Sequence, residues 1–207
     1  MSKEACLVTD ETWPDQLADM REGPLGRLNV YRMMAHHPPL LRAWSALREH
    51  LVARSSLSPQ QSELAILRTG WHWRSRYEWL HHVSRGRRVG LSDEAIARCA
   101  ARTPGAADGD ALILHVVDTL MARGRLDDDL LAQLQELVGV TGALDVMATV
   151  GMYTTLAFVL ETFGVPLDAE IAAELAGDPL AALGPTSELP HPCLDHDRDV
   201  EARRHGQ

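Results

Sequence analysis

Apolar residues recur every three or four positions along most of the chain, and no useful length of it alternates in the two-residue rhythm of a strand. The pattern predicts an all-α protein. From Leu28 it gives two helices split at Pro38–Pro39, because consecutive prolines forbid helix continuation. The second, from residue 40 to about 53, sets Leu40, Leu41, Trp44, Leu47 and Leu51 on one stripe expected to be buried, and His36 and His37 at the break are expected to cap the end of the first. Ser58 and Pro59 open a helix running to about Trp73, apolar on most sides and so central, with Gly70 allowing a neighbour close approach. Ser75-Arg76-Tyr77-Glu78 announces the next as an S-x-x-E capping box, closed at Gly90. Ser92-Asp93-Glu94 starts a short helix, 103–110 is a loop, and helices follow over 111–123, 127–138 (stopped by Gly139) and 141–163, then one short Ala-rich helix.

These elements make one domain. Residues 1–27 form an N-terminal arm, 28–176 the helical domain, and 177–207, rich in Pro, His, Asp and Arg, a flexible C-terminal tail, mobile or draped on a neighbouring subunit. The composition, 45% hydrophobic and 24% charged, is that of a globular protein, and no apolar run near the roughly 20 residues of a membrane helix is evident by eye. With no signal-peptide pattern at the start, the expectation is a cytoplasmic protein that does not engage membranes. A net charge of −9, from 29 acids against 20 bases, argues against nucleic acid as a partner. The basic run Arg85, Arg87 and Arg88 reads as complementing a helix dipole. Cys6, Cys99 and Cys193 lie far apart without a C-x-x-C, which excludes a disulfide framework, a thiolate zinc site and a dithiol redox centre.

Candidate chemistry concentrates in 57–91, where Ser75, Tyr77, Glu78, Trp79, His81 and His82 fall within eight residues beside a helix whose lone acid is Glu63. Glu78 and His82, four apart, project from one helix face with Ser75 a turn earlier, and a carboxylate beside an imidazole makes a general acid/base pair. The capping box explains Ser75 and Glu78 without chemistry, and leaves the histidines unexplained. If both readings hold, the helix N-terminus favours an ionised Glu78, a base. Glu63 has two readings as well, a functional acid or a rim residue bonded to an arginine such as Arg68. His115 reads as a core or rim histidine, and Tyr153 as core with its hydroxyl bonded or as a pocket residue. Glu63, Glu78 and His82 with His72 or His81 could supply metal ligands, but an i, i+4 pair is weak evidence, so neither metal nor cofactor is assigned. His191, His196 and His205 are too irregularly spaced for a metal site.

Three segments, "YRMMAHHPPLLRAW", "LSPQQSELAILRTGWHWRSRYEWLHHVSRGRRVGLSDEAI" and "GMYTTLAFVLETFGVPLD", resemble the carboxymuconolactone decarboxylase family of the alkylhydroperoxidase D-like superfamily. The resemblance implies an alkylhydroperoxidase D-like helical bundle assembled as a homo-oligomer, trimer or hexamer, with pockets near subunit interfaces. Peroxidase-type members carry a glutamate, a C-x-x-C and a histidine. Glu63 matches the glutamate and His82 the histidine, while Ser75 and Glu78 stand where the cysteines would, so the thiolate chemistry is lost. Decarboxylase-type members keep an E-x-x-x-H that Glu78 and His82 match. The resemblance then implies proton transfer on a small organic acid, lactone or carbonyl compound: His82 moves the proton, Glu78 orients and charge-balances it, Glu63 relays to solvent, and Trp71, Tyr77 and Trp79 wall the pocket with Ser75 and Tyr153.

A cofactor-independent lyase or isomerase is the leading expectation. An alkylhydroperoxidase-like oxidoreductase, using Cys99 or a non-thiol device, and a noncatalytic oligomeric ligand-binding protein are the alternatives.

Overall fold

The computed structural model of the chain describes residues 6–101 and 108–185, and every regular element among them is helical. In chain order these are α1 (Pro24–Arg27), α2 (Asn29–Met34), α3 (Pro38–Glu49), α4 (Pro59–His72), α5 (Arg76–Arg88), α6 (Asp93–Cys99), α7 (Gly109–Arg123), α8 (Asp128–Phe163), α9 (Ala169–Glu174) and α10 (Pro179–Leu183). A 3-10 turn, Asp15–Met20, precedes them, and a π-type turn, His50–Arg54, continues α3.

Local chemistry sets most boundaries. Ser92, Asp108 and Asp127 each accept from the backbone N–H three residues on, at 3.2, 2.8 and 2.9 Å. The reciprocal capping box forms at α4, where Ser58 and Gln61 satisfy each other's backbone groups. Gly139, at φ 71° and ψ 175°, breaks α8 where two helices are expected to part.

Helix α4 sits at the centre, against α5, α6, α7 and α8. It divides two apolar clusters. Leu64, Leu67, Trp79, Leu80 and Val83 join α6, α7 and the first part of α8 in one. Ile66 and Tyr77 join the N-terminal arm, α2, Leu41 and the last turns of α8 in the other. Polar groups of α4 and α5 at the seam between the clusters are therefore cut off from water.

Four expectations need correction. Of the α3 stripe only Leu41 and Leu51 are buried; Leu40 and Leu47 are 46% and 40% exposed, because α3 packs mainly on α2 and the 3-10 turn, off the central layer. His37 closes the end of α2 only through its backbone N–H, which donates to the Met34 carbonyl at 2.9 Å, while its side chain caps the start of α3: Pro38 and Pro39 have no N–H, so Leu40 offers the first donor, and His37 Nδ1 accepts it at 3.2 Å. His36 Nε2 lies 2.7 Å from the Cys6 carbonyl.

Residues 177–185, in the tail expected to be flexible from Gly177, pack on α5. Trp79 Nε1 donates to the Leu180 carbonyl at 2.9 Å, Arg87 pairs with Asp178 at 2.5 Å, and Gly184 lies on the Trp79 indole. His191, His196 and His205 lie outside the described residues. Finally, α8 is long and apolar enough to span a membrane by length and composition, contrary to the expectation by eye; just over half of its most apolar window is buried within the fold, as in the core helix of a globular protein.

Candidate functional site

Helices α4 and α5 form a hairpin closed by residues 73–75, with Arg74 in the left-handed region at φ 56°. Close packing brings their side chains together. A Cβ on Gly70 would stand 3.2 Å from Cβ of Glu78, so the glycine is what lets α5 approach α4 at this level.

Across that contact, His82 Nδ1 lies 2.5 Å from Glu63 Oε2, with both side chains 6% exposed. Arg85, one turn after His82, places Nε 3.3 Å from the other oxygen, Oε1. Burial pushes the Glu63 carboxyl up, but His82 and Arg85 together outweigh it and hold the group below its ordinary value. Burial pulls His82 below its ordinary value, against the opposing pull of Glu63. The resting arrangement is therefore a carboxylate accepting from a neutral imidazole, with Arg85 balancing the charge. The His82 ring meets Tyr153 edge-on at 5.0 Å.

Glu78 behaves otherwise than expected. It shares a small cavity of about 40 Å³ with His82 and Arg85, as the i, i+4 spacing predicts, yet it bonds neither. Both carboxyl oxygens are buried without a hydrogen-bond partner. Ser75 accepts from Glu78 N at a long 3.5 Å and the carboxyl does not reciprocate, so the capping box is half made. Burial, reinforced by Glu161, pushes Glu78 well above its ordinary value and keeps it a neutral acid, not the ionised base that the helix N-terminus favours. Desolvation between two apolar clusters outweighs the helix dipole here. Glu63, not Glu78, is the partner of His82, and at 4% exposure it lies within the seam.

The other expected residues separate. Tyr77 and Tyr153 line the small cavity. Tyr77 stacks on His81 at 4.4 Å, and both bond Asp168, Tyr77 through its hydroxyl and His81 through Nε2 at 2.9 Å; Asp168 also accepts from Asn29 N–H at 3.0 Å. Ser75 is fully buried at the α5 start, near enough to Glu161 to draw its carboxyl down against the upward push of burial. Trp71 and Trp79 do not wall the cavity. Trp71 covers the Arg68 guanidinium at 4.7 Å, and Trp79 is fully buried under α10. Trp71 stands eight positions after Glu63 and Trp79 one after Glu78, so each projects about a quarter-turn away from the line of the seam residues. Arg68 bonds Asp118 at 2.5 Å, as His72 does at 2.6 Å, so Arg68 is not the partner of Glu63. His115 is exposed.

With His72 and His81 committed to aspartates, no group of three or more His, Cys, Asp or Glu side chains among the described residues is arranged to hold a metal ion. Cys99 is fully buried and burial pushes its thiol up to about 12, which removes the thiolate that peroxide chemistry requires.

Sequence reasoning missed Arg85, Arg48, Tyr31 and Asp168. Arg85 had a local signal, three residues after His82 and seven after Glu78 on the same face. Arg48 lines the small cavity, donates to the Tyr31 hydroxyl at 3.0 Å and has no carboxylate partner among the described residues. Nothing near Tyr31 or Asp168 in sequence marks either for a site.

No curated protein matches the chain. A family model does match, over residues 38–122, from the start of α3 almost to the end of α7. That span holds Glu63, Glu78, His82, Arg48 and Arg85, whereas Tyr31, Tyr153 and Asp168 close the site from outside it. The buried pair of α4 and α5 thus lies within the segment, residues 38–122, that matches the model of the carboxymuconolactone decarboxylase family.

Proposed function

We propose that the protein is a cofactor-independent lyase or isomerase that moves a proton on a small organic acid, lactone or carbonyl compound. The observation that carries this reading is the 2.5 Å contact of His82 with Glu63 inside an apolar seam. A neutral imidazole backed by a carboxylate accepts a proton and keeps the resulting cation balanced, which is what abstraction next to a carbonyl demands. Glu78, held neutral beside His82 in the small cavity they share, is the group able to return a proton to His82. Arg85, which pairs with Glu63 and lines the cavity on that side, favours an anionic substrate and the enolate-like charge that develops on it. Shielding from bulk solvent by the two clusters protects that intermediate.

The reading extends to an alkylhydroperoxidase D-like bundle working as a cytoplasmic homo-oligomer, trimer or hexamer. Val140, Leu144 and Phe158 on the outer face of α8, 61%, 62% and 50% exposed, support assembly, and sedimentation tests it. The free thiols of Cys6 and Cys99 fit a reducing compartment.

The test is proton NMR in deuterated water with a panel of small lactones, keto acids and unsaturated carboxylates. Deuterium entering next to a carbonyl, and its loss in both His82→Ala and Glu63→Gln, supports the reading. Exchange that persists in both variants overturns it. No exchange with any compound, with the fold intact, turns the assignment to a noncatalytic ligand-binding protein.

A further inference from the structure

The small cavity beside His82 is too small for a substrate. At about 40 Å³ it has room for a few waters, since one needs roughly 10–15 Å³ on this measure. On the other side of the Glu63–Arg85 pair lies a second cavity of about 260 Å³. An apolar cavity of about 150 Å³ already accepts benzene, so this one accommodates a molecule of that size with a polar group attached.

Its walls come from the π-type turn, the first turns of α4 and the end of α5. Leu51, Leu57, Ile66 and Val89 give them an apolar face. Glu63 and Arg85 supply the charge. Arg85 comes nearest to Glu63 through Nε, and its two terminal nitrogens make no hydrogen bond among the described residues. Those nitrogens form the outer edge of the guanidinium fork, which matches a carboxylate in a bidentate pair. The Arg85 side chain is 35% exposed, so an incoming anion reaches it without unfolding the seam. Glu63 lines this cavity while His82 lines the other, and the bond between them links the two chambers.

We propose that the larger cavity is a binding site for a small monocarboxylate with an apolar body of about the size of benzoate, its carboxylate on the outer edge of Arg85 and its body against Leu51, Leu57, Ile66 and Val89. The ligand meets the proton-carrying pair from the Glu63 end, and the small chamber holds water on the His82 side. That placement deepens the acid–base reading and rests on it for its purpose, but binding alone tests the site.

The experiment is a titration of the full chain with benzoate and with hexanoate, followed by methyl NMR. Saturable shifts at Leu51, Leu57, Ile66 and Val89, weakened about tenfold or more in Arg85→Met and abolished when Val89→Phe fills the cavity, support the proposal. Shifts confined to Val30, Leu156 and Leu160 around the small cavity overturn it. So does an absence of saturable binding up to the solubility limit. Binding at the four named residues without deuterium exchange on any compound sinks the acid–base reading and leaves the site standing. Exchange that depends on His82, with Val89→Phe changing neither exchange nor binding, does the reverse.

Discussion

His82 and Glu63 meet at 2.5 Å from different helices, 19 residues apart, while Glu78, one turn before His82 on its own helix, bonds nothing. The pair sets a pH signature. Burial lowers the His82 value below 6.5, so the imidazole is neutral and able to accept a proton above an inflection that lies under 6.5. The rate of deuterium exchange is expected to rise through that inflection and then level. Glu63 pulls the value upward, so Glu63→Gln moves the inflection to still lower pH and cuts the rate about 100-fold or more. A profile that inflects above 6.5 would contradict this assignment of roles.

Glu78 carries a cost in stability. Its value in the fold is raised above the ordinary 4.5, so between the two the folded state holds a proton that the unfolded state releases. Stability therefore falls as pH rises above 4.5, by up to about 1.4 kcal/mol per pH unit for one group. Glu78→Met removes both the slope and two unsatisfied oxygens, and is expected to stabilise the fold at pH 7 by about 1–3 kcal/mol. Urea unfolding of both proteins at several pH values measures the difference, and equal slopes would show that Glu78 is not the group responsible.

Trp79 and Gly184 hold α10 in place. A Cβ on Gly184 would lie 2.3 Å from Trp79 Cδ1, against rigid indole atoms that have nowhere to move. Gly184→Ala is expected to destabilise the C-terminal docking by about 1–3 kcal/mol and to loosen the bond from Trp79 Nε1 to the Leu180 carbonyl. Hydrogen exchange of the indole proton reports it, and unchanged protection would refute it.

The thiols separate by exposure. Iodoacetamide at pH 8 is expected to label exposed Cys6 and to spare Cys99 until the protein is unfolded, since burial pushes the Cys99 thiol up to about 12. Mass spectrometry of the digest locates the label. Native-state labelling of Cys99 would reopen a redox role for it.

Helix positions are legible in the sequence because their signals are local. Ser58, Ser92, Asp127 and Gly139 each act within four residues. Burial is less so: Leu40 and Leu47 carry the right spacing, but whether a stripe is covered depends on which distant element reaches it. At the site, spacing correctly puts Glu78 and His82 on one face and wrongly pairs them, because the choice between Glu78 and Glu63 is made by how closely α5 approaches α4 at Gly70. The ionisation of Glu78 escapes for the same reason. A helix terminus can be read from sequence; the dielectric around a side chain follows from packing on all sides. Asp168, which gathers Tyr77, His81 and Asn29, has no neighbour in sequence to announce it.

The three-residue turn between α4 and α5 also bears on how the site comes together. The His82–Glu63 contact closes a loop of 19 residues, whereas the Tyr77–Asp168 contact beside it closes one of 91. Loop-closure entropy grows as the logarithm of length, so the first costs about 1.4 kcal/mol less to form. The proton-carrying pair belongs to the local part of the folding problem, and the wall that shields it belongs to the global part. An early hairpin of α4 and α5 carries the reactive groups before the chain's end has returned to enclose them.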